Sequence, residues 1–166
     1  MFRLVLALVV LAVASAAPYL DQDKPRPSLQ ANRLAVAPLR VGSKRYFLQT
    51  VKSNWYRANE FCNYQGMRLA TISSQEENDK VAKYIRNSGL GGEYFWIGAS
   101  DLGERGKYVW MSTGEPLEYT NWLAGEPNHL TDNGEVEHCV HLFDQNLDFT
   151  WNDKICSIYY NFICEM

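Results

Sequence analysis

Four cysteines, Cys62, Cys139, Cys156 and Cys164, follow an N-terminus with the form of an export signal, and together these features constrain the fold more than anything else in the 166-residue chain. Met1–Arg3 give a short positive start, Leu4–Val13 an uncharged apolar run, and Ala14-Ser15-Ala16 a small-residue cleavage site, so residues 1–16 read as a signal peptide and the mature chain begins at Ala17. The apolar run is well short of the ~20 residues a membrane-spanning helix needs, and no later segment is apolar enough, so the expectation is a secreted, extracellular protein without a membrane span. In an oxidising compartment an even cysteine count implies two disulfides, and four cysteines allow three pairings that spacing alone does not resolve. A structural zinc site is disfavoured because there is no Cys-x-x-Cys, and none of the four reads as a catalytic thiol.

The rest of the chain suits one domain. Residues 17–40 carry Pro18, Pro25, Pro27 and Pro38 among polar residues and read as a flexible N-terminal arm; the folded domain is expected over 41–166. The formal charge is −3, and losing Arg3 with the signal leaves 15 basic against 19 acidic residues, or −4, which excludes a nucleic-acid partner because phosphate binding requires a basic excess. Arg45–Val51 reads as a strand. Ser53 or Asn54 then caps a helix carrying Trp55, Ala58, Phe61 and Cys62 and stopped by Gly66. Ser74-Gln75-Glu76-Glu77 has capping-box form and opens a second helix with Val81, Tyr84 and Ile85 on one stripe, ending before Gly89. Tyr94–Ala99, Lys107–Met111, Val136–Phe143, Phe149–Asn152 and Tyr159–Glu165 read as later strands. Between Ser112 and Glu135 lies a long stretch rich in Gly, Pro and Asn with no period, and a loop of that length in a compact domain reads as functional.

Trp55-x-x-Ala58-x-x-x-Cys62, Leu69-Ala70-x-Ile72, Trp96-Ile97-Gly98, Glu126-Pro127-Asn128, Trp151-Asn152-Asp153 and the last three cysteines fall in the order and approximate spacing of the C-type lectin domain, which this sequence resembles over about 125 residues. The resemblance implies an α+β fold, with two helices flanking two small antiparallel sheets and a long calcium-binding loop. It also implies the disulfides Cys62–Cys164 and Cys139–Cys156. The extra N-terminal cysteine pair of longer members is absent, so the chain is similar to the short, secreted single-domain lectins of invertebrates.

Oxygen-bearing side chains cluster at Glu126/Asn128, Glu135/Glu137 and Asn152/Asp153, and calcium is a hard cation that takes six to eight oxygen ligands. If Glu126, Asn128, Glu137, Asn152 and Asp153 converge, they offer three negative charges and two amide carbonyls to one Ca²⁺ and leave positions for the vicinal hydroxyls of a sugar. The same five residues are then the carbohydrate-binding set. In the family the bond before the residue matching Pro127 is cis, which aims the two flanking side chains at one ion. Glu137, two before Cys139 as in the family pattern, is preferred as third acidic ligand over Glu135, although strand periodicity puts both on one face. The order Glu-Pro-Asn is associated by resemblance with mannose, glucose, fucose and N-acetylglucosamine. A galactose-type site remains the alternative; it needs an aromatic platform, for which Phe143 and Phe149 are the candidates. The auxiliary calcium site of some relatives needs acids that here read His129 and His138, and Arg105 stands where another is expected, so one calcium is anticipated.

Each motif has a plainer reading. Trp55, Trp96, Trp110 and Trp151 are expected in the core, Trp122 either there or at the sugar, and His129, His138 and His141 at the surface or in loops rather than on zinc. The leading function is a secreted, calcium-dependent lectin for glycans on microbes, cells or glycoproteins, in innate immune recognition or agglutination. The alternatives are a calcium-independent protein-binding module on the same fold and a secreted hydrolase; the latter is disfavoured because no nucleophile–base set or acid pair in a cleft is evident. A site touching one terminal sugar binds at about millimolar strength, so avidity through a homo-oligomer is anticipated. No Asn-x-Ser/Thr sequon is present.

Overall fold

The computed structural model describes residues 37–144 and 149–166; the expected signal and the arm up to residue 36 lie outside the described residues. Strand β1 (Leu39–Val41) pairs with β2 (Lys44–Ser53), so Leu39 and Arg40, assigned to the arm from their neighbourhood of prolines, join the sheet. Helix α1 (Trp55–Tyr64) starts at Asn54, whose side chain accepts from the Arg57 N–H at 2.9 Å. Trp55, Ala58 and Cys62 form its buried face at helical spacing. It ends where Gly66 takes φ 70°: Met67 N–H reaches Cys62 O at 2.9 Å and Gly66 N–H reaches Asn63 O at 3.0 Å, a Schellman closure that favours glycine because it needs a left-handed residue.

Helix α2 (Gln75–Asn87) is capped by Ser74, which accepts from Glu77 N–H at 3.2 Å. The returning Glu77 carboxylate goes one residue further than the expected capping box, to Ser73 N–H at 2.7 Å, because it also pairs with Lys44 Nζ at 2.9 Å. Strands β3 (Arg68–Leu69), β4 (Phe95–Ser100), β5 (Val109–Trp110), β6 (Cys139–Phe143), β7 (Thr150–Lys154) and β8 (Tyr160–Glu165) complete the domain. The main sheet has the order β1-β2-β8-β4-β6-β7, with β3 attached to β8 and β5 to β4. The fold is α+β, as the resemblance implies. Its strands, however, form one hydrogen-bonded network in which the β4–β8 pair is parallel and every other strand pair antiparallel.

Alternation along β4, β6 and β8 divides the core. Phe95, Ile97, Ala99, Val140, Leu142 and Ile163 join the cluster with Val81 and Ile85 of α2; Trp96, Cys139, Phe162 and Cys164 join the one with Trp55, Ala58 and Cys62 of α1. Both disulfides have the implied pairing: Cys62–Cys164 ties α1 to β8, and Cys139–Cys156 ties β6 to the turn after β7. A Cβ at Gly98 would lie 2.9 Å from the Leu69 carbonyl oxygen, so only glycine lets β4 run this close to the end of β3. Trp55, Trp96, Trp110 and Trp151 are buried, as expected. Trp151 donates its indole N–H to Asn78 Oδ1 of α2 at 2.9 Å, which fixes β7 against the helix. Among the described residues no helix is long and apolar enough to cross a membrane.

Candidate functional site

The long loop and β7 meet at the sheet edge. Trp122 bridges to Trp151, Leu123 N–H donates to Trp151 O at 2.9 Å and Trp151 N–H to Asn121 O at 2.8 Å, so the loop is laid along the last strand. Trp122 itself packs edge-on against Tyr108 and Trp151, with centroids 5.0 and 5.9 Å away, which assigns it to the core margin. Further on, Glu126–Pro127 is cis, and a Leu130–Val136 bridge with Glu137 N–H on His129 O at 3.1 Å folds the loop back on itself. Glu137 is thereby carried towards Asn128, whereas Glu135 stays exposed in the turn closed by Thr131.

Three of the five expected donors are joined directly. Asn128 donates its backbone N–H to Glu126 Oε2 at 3.0 Å and to Asp153 Oδ1 at 3.2 Å, and its side-chain amide to Glu126 Oε1 at 3.3 Å. Asp153 is fully buried; its Oδ2 accepts from Tyr108 O–H at 2.7 Å and from His129 N–H at 3.0 Å. His129 holds φ 64°, the left-handed conformation that points this N–H at the carboxylate. Glu137 is also fully buried and faces the Lys154 ammonium as an ion pair, but neither of its oxygens accepts an aligned hydrogen bond from a described residue. Asn152 stands apart on the opposite face of β7 from Asp153, its Oδ1 buried and without a hydrogen-bond partner among the described residues. Among the described residues no three Asp, Glu, His or Cys side chains are already gathered as a closed metal cluster.

The electrostatics nevertheless suit a cation. Burial raises the Glu126 carboxyl above its ordinary range; the Asn128 N–H opposes this, while the charges of Asp153 and Glu137 reinforce it. Burial, followed by the hydrogen bond to Asp153, raises the Tyr108 phenol, keeping it a proton donor. The charges of Asp153 and Glu137 both act on Glu126, Glu137 pairs with the Lys154 ammonium, and the buried Asn152 Oδ1 has no hydrogen-bond partner among the described residues. An oxygen-rich set with surplus negative charge fits calcium.

Residues outside the expected set hold this site. Asp101, fully buried, accepts from Gly106 N–H at 2.7 Å, meets His138 Nδ1 at 2.7 Å and lies 3.5 Å from His129 Nδ1, where some relatives would carry a second ion's acids. Lys154 and Asp101 have no sequence signal beyond nearness to the motifs, and Tyr108 has none. His141 corrects an expectation: it is 2% exposed in β6 and not at the surface, because β6 is covered on both faces, and burial pushes its imidazole down to about 3. Phe149 is fully buried and unavailable as a sugar platform; Phe143 is half-buried.

Comparison with known proteins gives the same picture. The family model "Lectin C-type domain" matches residues 51–166. Salivary C-type lectin 1 of Aedes albopictus is 37% identical over 127 residues, covering 73% of this chain and 81% of that protein. Among solved structures, the cow carbohydrate-recognition domain of CD23, determined in the presence of a GlcNAc2Man3 oligosaccharide, is 32% identical with a TM-score of 0.66, covering 78% of this chain and 92% of that one. A calcium-independent type II antifreeze protein is 25% identical with a TM-score of 0.64, covering 78% and 91%. With the family model matched over residues 51–166 and a relative 37% identical over 127 residues, the chain belongs to the C-type lectin domain family.

Proposed function

We propose that the protein is a secreted lectin that holds the terminal sugar of a glycan on one calcium ion, with Glu126, Asn128, Glu137, Asn152 and Asp153 as the ion's donors. The observation that carries this reading is the bonded group Glu126–Asn128–Asp153, on which the charge of the buried Glu137 also acts. Calcium, when bound, supplies a hard centre at which vicinal sugar hydroxyls replace water. The chain supplies the rest: Glu126 and Glu137 accept the hydroxyl protons, and Asn128 and Asn152 donate amide N–H to the hydroxyl oxygens. Tyr108 and His129 N–H fix the Asp153 carboxylate so that its orientation need not be found on binding.

The Glu126-Pro127-Asn128 order favours a mannose, glucose or fucose type of sugar, with galactose as the alternative. The oligosaccharide in whose presence the CD23 domain was determined, and the salivary origin in the name of the mosquito relative, support a secreted carbohydrate binder acting on glycans of cells, microbes or glycoproteins. The protein binds and does not catalyse, as its lectin relatives do. Recognition or agglutination through a homo-oligomer follows from the weakness of a single sugar site. A calcium-independent module is the second reading, favoured by one observation: Lys154 already meets Glu137 with a positive charge.

Chromatography on mannose and galactose resins separates the readings. Retention in calcium and elution by EDTA is expected. Calcium binding needs deprotonated carboxylates, so elution is also expected on acidification to about pH 5. Absence of retention on either resin in calcium supports the second reading, and binding undiminished in EDTA overturns the first.

A further inference from the structure

We propose that the cavity between the segment before α2 and the loop after β5 is a second binding site, for an amino sugar, that works without calcium. The inference is independent of the lectin reading. The cavity measures about 190 Å³ and is lined by Ser73, Trp110, Glu115, Pro116, Glu118 and Tyr119. Its walls are fixed by the fold. Trp110 O accepts from Thr113 N–H at 3.1 Å and from Gly114 N–H at 2.8 Å, and Trp110 N–H donates to Glu115 O at 2.9 Å, so a tight turn holds the backbone of Glu115 against that of Trp110. Tyr119 O–H donates to Gln75 Oε1 in the first turn of α2 at 3.1 Å. Both aromatic walls stand edge-on to the buried Trp151, with centroids 5.9 Å away for Trp110 and 5.6 Å for Tyr119.

The lining identifies the occupant's chemistry. Trp55, Trp96 and Trp151 each donate the indole N–H to a protein acceptor. Trp110, only 4% exposed, does not: its indole N–H meets no acceptor among the described residues, yet it is not one of the unsatisfied polar atoms sealed from solvent. A ligand oxygen in the cavity supplies the missing acceptor. Glu115 and Glu118 are exposed and form no ion pair among the described residues. Lys44 reaches Ser73 Oγ at 3.3 Å but is held by Glu77 at 2.9 Å and Thr71 O at 3.2 Å, so the two carboxylates keep their charge for a cationic donor. Tyr119 is half-buried and leaves ring surface for a C–H face.

One class of ligand meets all three demands. An alkylammonium ion has nothing for the indole N–H to donate to, a neutral sugar leaves both carboxylates without a counter-charge, and an acidic ligand is repelled by them. A protonated hexosamine brings an ammonium for Glu115 and Glu118, a hydroxyl oxygen for Trp110 and the C–H side of its ring for Tyr119. Size agrees, since a cavity of about 150 Å³ holds benzene and this one is slightly larger, room for one six-membered ring.

NMR titration of the isotope-labelled full chain in EDTA tests this, at about pH 6, where the amine is protonated and ordinary glutamates are ionised. The ligands are glucosamine, glucose and cyclohexylamine. Glucosamine is expected to move the Trp110 indole N–H resonance, assigned through its neighbours in the sequence, to lower field. Glucose and cyclohexylamine should bind on the order of tenfold more weakly. Glu115→Gln/Glu118→Gln, at two exposed positions, should keep the folded spectrum and bind glucosamine no better than glucose. Equal binding of all three ligands, a Trp110 resonance that stays in place, or glucosamine affinity that survives in the double variant overturns the site. Because EDTA takes calcium away, failure here leaves the lectin reading standing, and failure of the resin assays in calcium leaves this site standing.

Discussion

Asp153 shows how much one side chain of the site carries. Its two oxygens accept from Asn128 N–H, His129 N–H and Tyr108 O–H, so it holds the loop in addition to its proposed role at the ion. Asp153→Ala is therefore expected to lose sugar retention and also about 2 kcal/mol or more of stability, since three donors lose their acceptor. Asn128→Ala, at an exposed position, should lose retention with a melting temperature in EDTA within about 2 °C of wild type. Thermal melts beside resin assays check both. His141 gives a pH prediction. Its folded value, near 3, lies below the ordinary 6.5, so the unfolded chain takes the proton first: the stability is complete above about pH 6.5 and is lost as the pH falls towards 3. Urea midpoints at pH 7, 5 and 4 should fall less steeply in His141→Gln than in wild type; parallel curves would contradict the burial of a neutral imidazole. The grouping of Glu126, Asn128 and Asp153 was legible in the sequence because Glu-Pro-Asn and Trp-Asn-Asp are compact motifs. His141 was not, because a strand covered on both faces hides its polar residues in an otherwise ordinary alternation.

At the scale of elements, both helices could be read because their ends are encoded locally: Asn54 and Ser74 at the starts, Gly66 and Gly89 past the ends. Strands of two or three residues, such as β1, β3 and β5, are too short to show a period, and their existence depends on partners far away in the chain. The parallel β4–β8 pair is illegible for the same reason. The expected strand over 136–143 begins only at Cys139 because Val136 and Glu137 turn to pair with the loop instead. Cys139–Cys156 closes a span of 17 residues that contains β7, and removing both sulfurs as Cys139→Ala/Cys156→Ala is expected to cost about 3 kcal/mol. Since the bond anchors the strand that bears Asn152 and Asp153, calcium affinity by calorimetry should fall even at temperatures where circular dichroism shows the double variant folded.

Across the whole molecule, binding of an ion at the proposed site would be linked to folding. If calcium binds the native loop and not the unfolded chain, an excess of 100 Kd adds about 2.7 kcal/mol of stability, read as a rise in melting temperature that EDTA reverses. Lys154 opposes this, because its ammonium neutralises Glu137 in the ion's absence. Lys154→Gln should melt lower than wild type in EDTA, with Glu137 left buried and unpaired, and should gain more than wild type on adding calcium. A smaller gain would mean that the lysine assists the ion and does not compete with it. The laying of the 112–135 segment along β7 has another outcome. Trp151 exchanges hydrogen bonds with Asn121 and Leu123, so the outermost strand already has a neighbour there, while the opposite rim, β1, is only three residues long. A solution crowded with copies of this protein thus offers, among the described residues, few open backbone rims on which cross-β fibrils could seed.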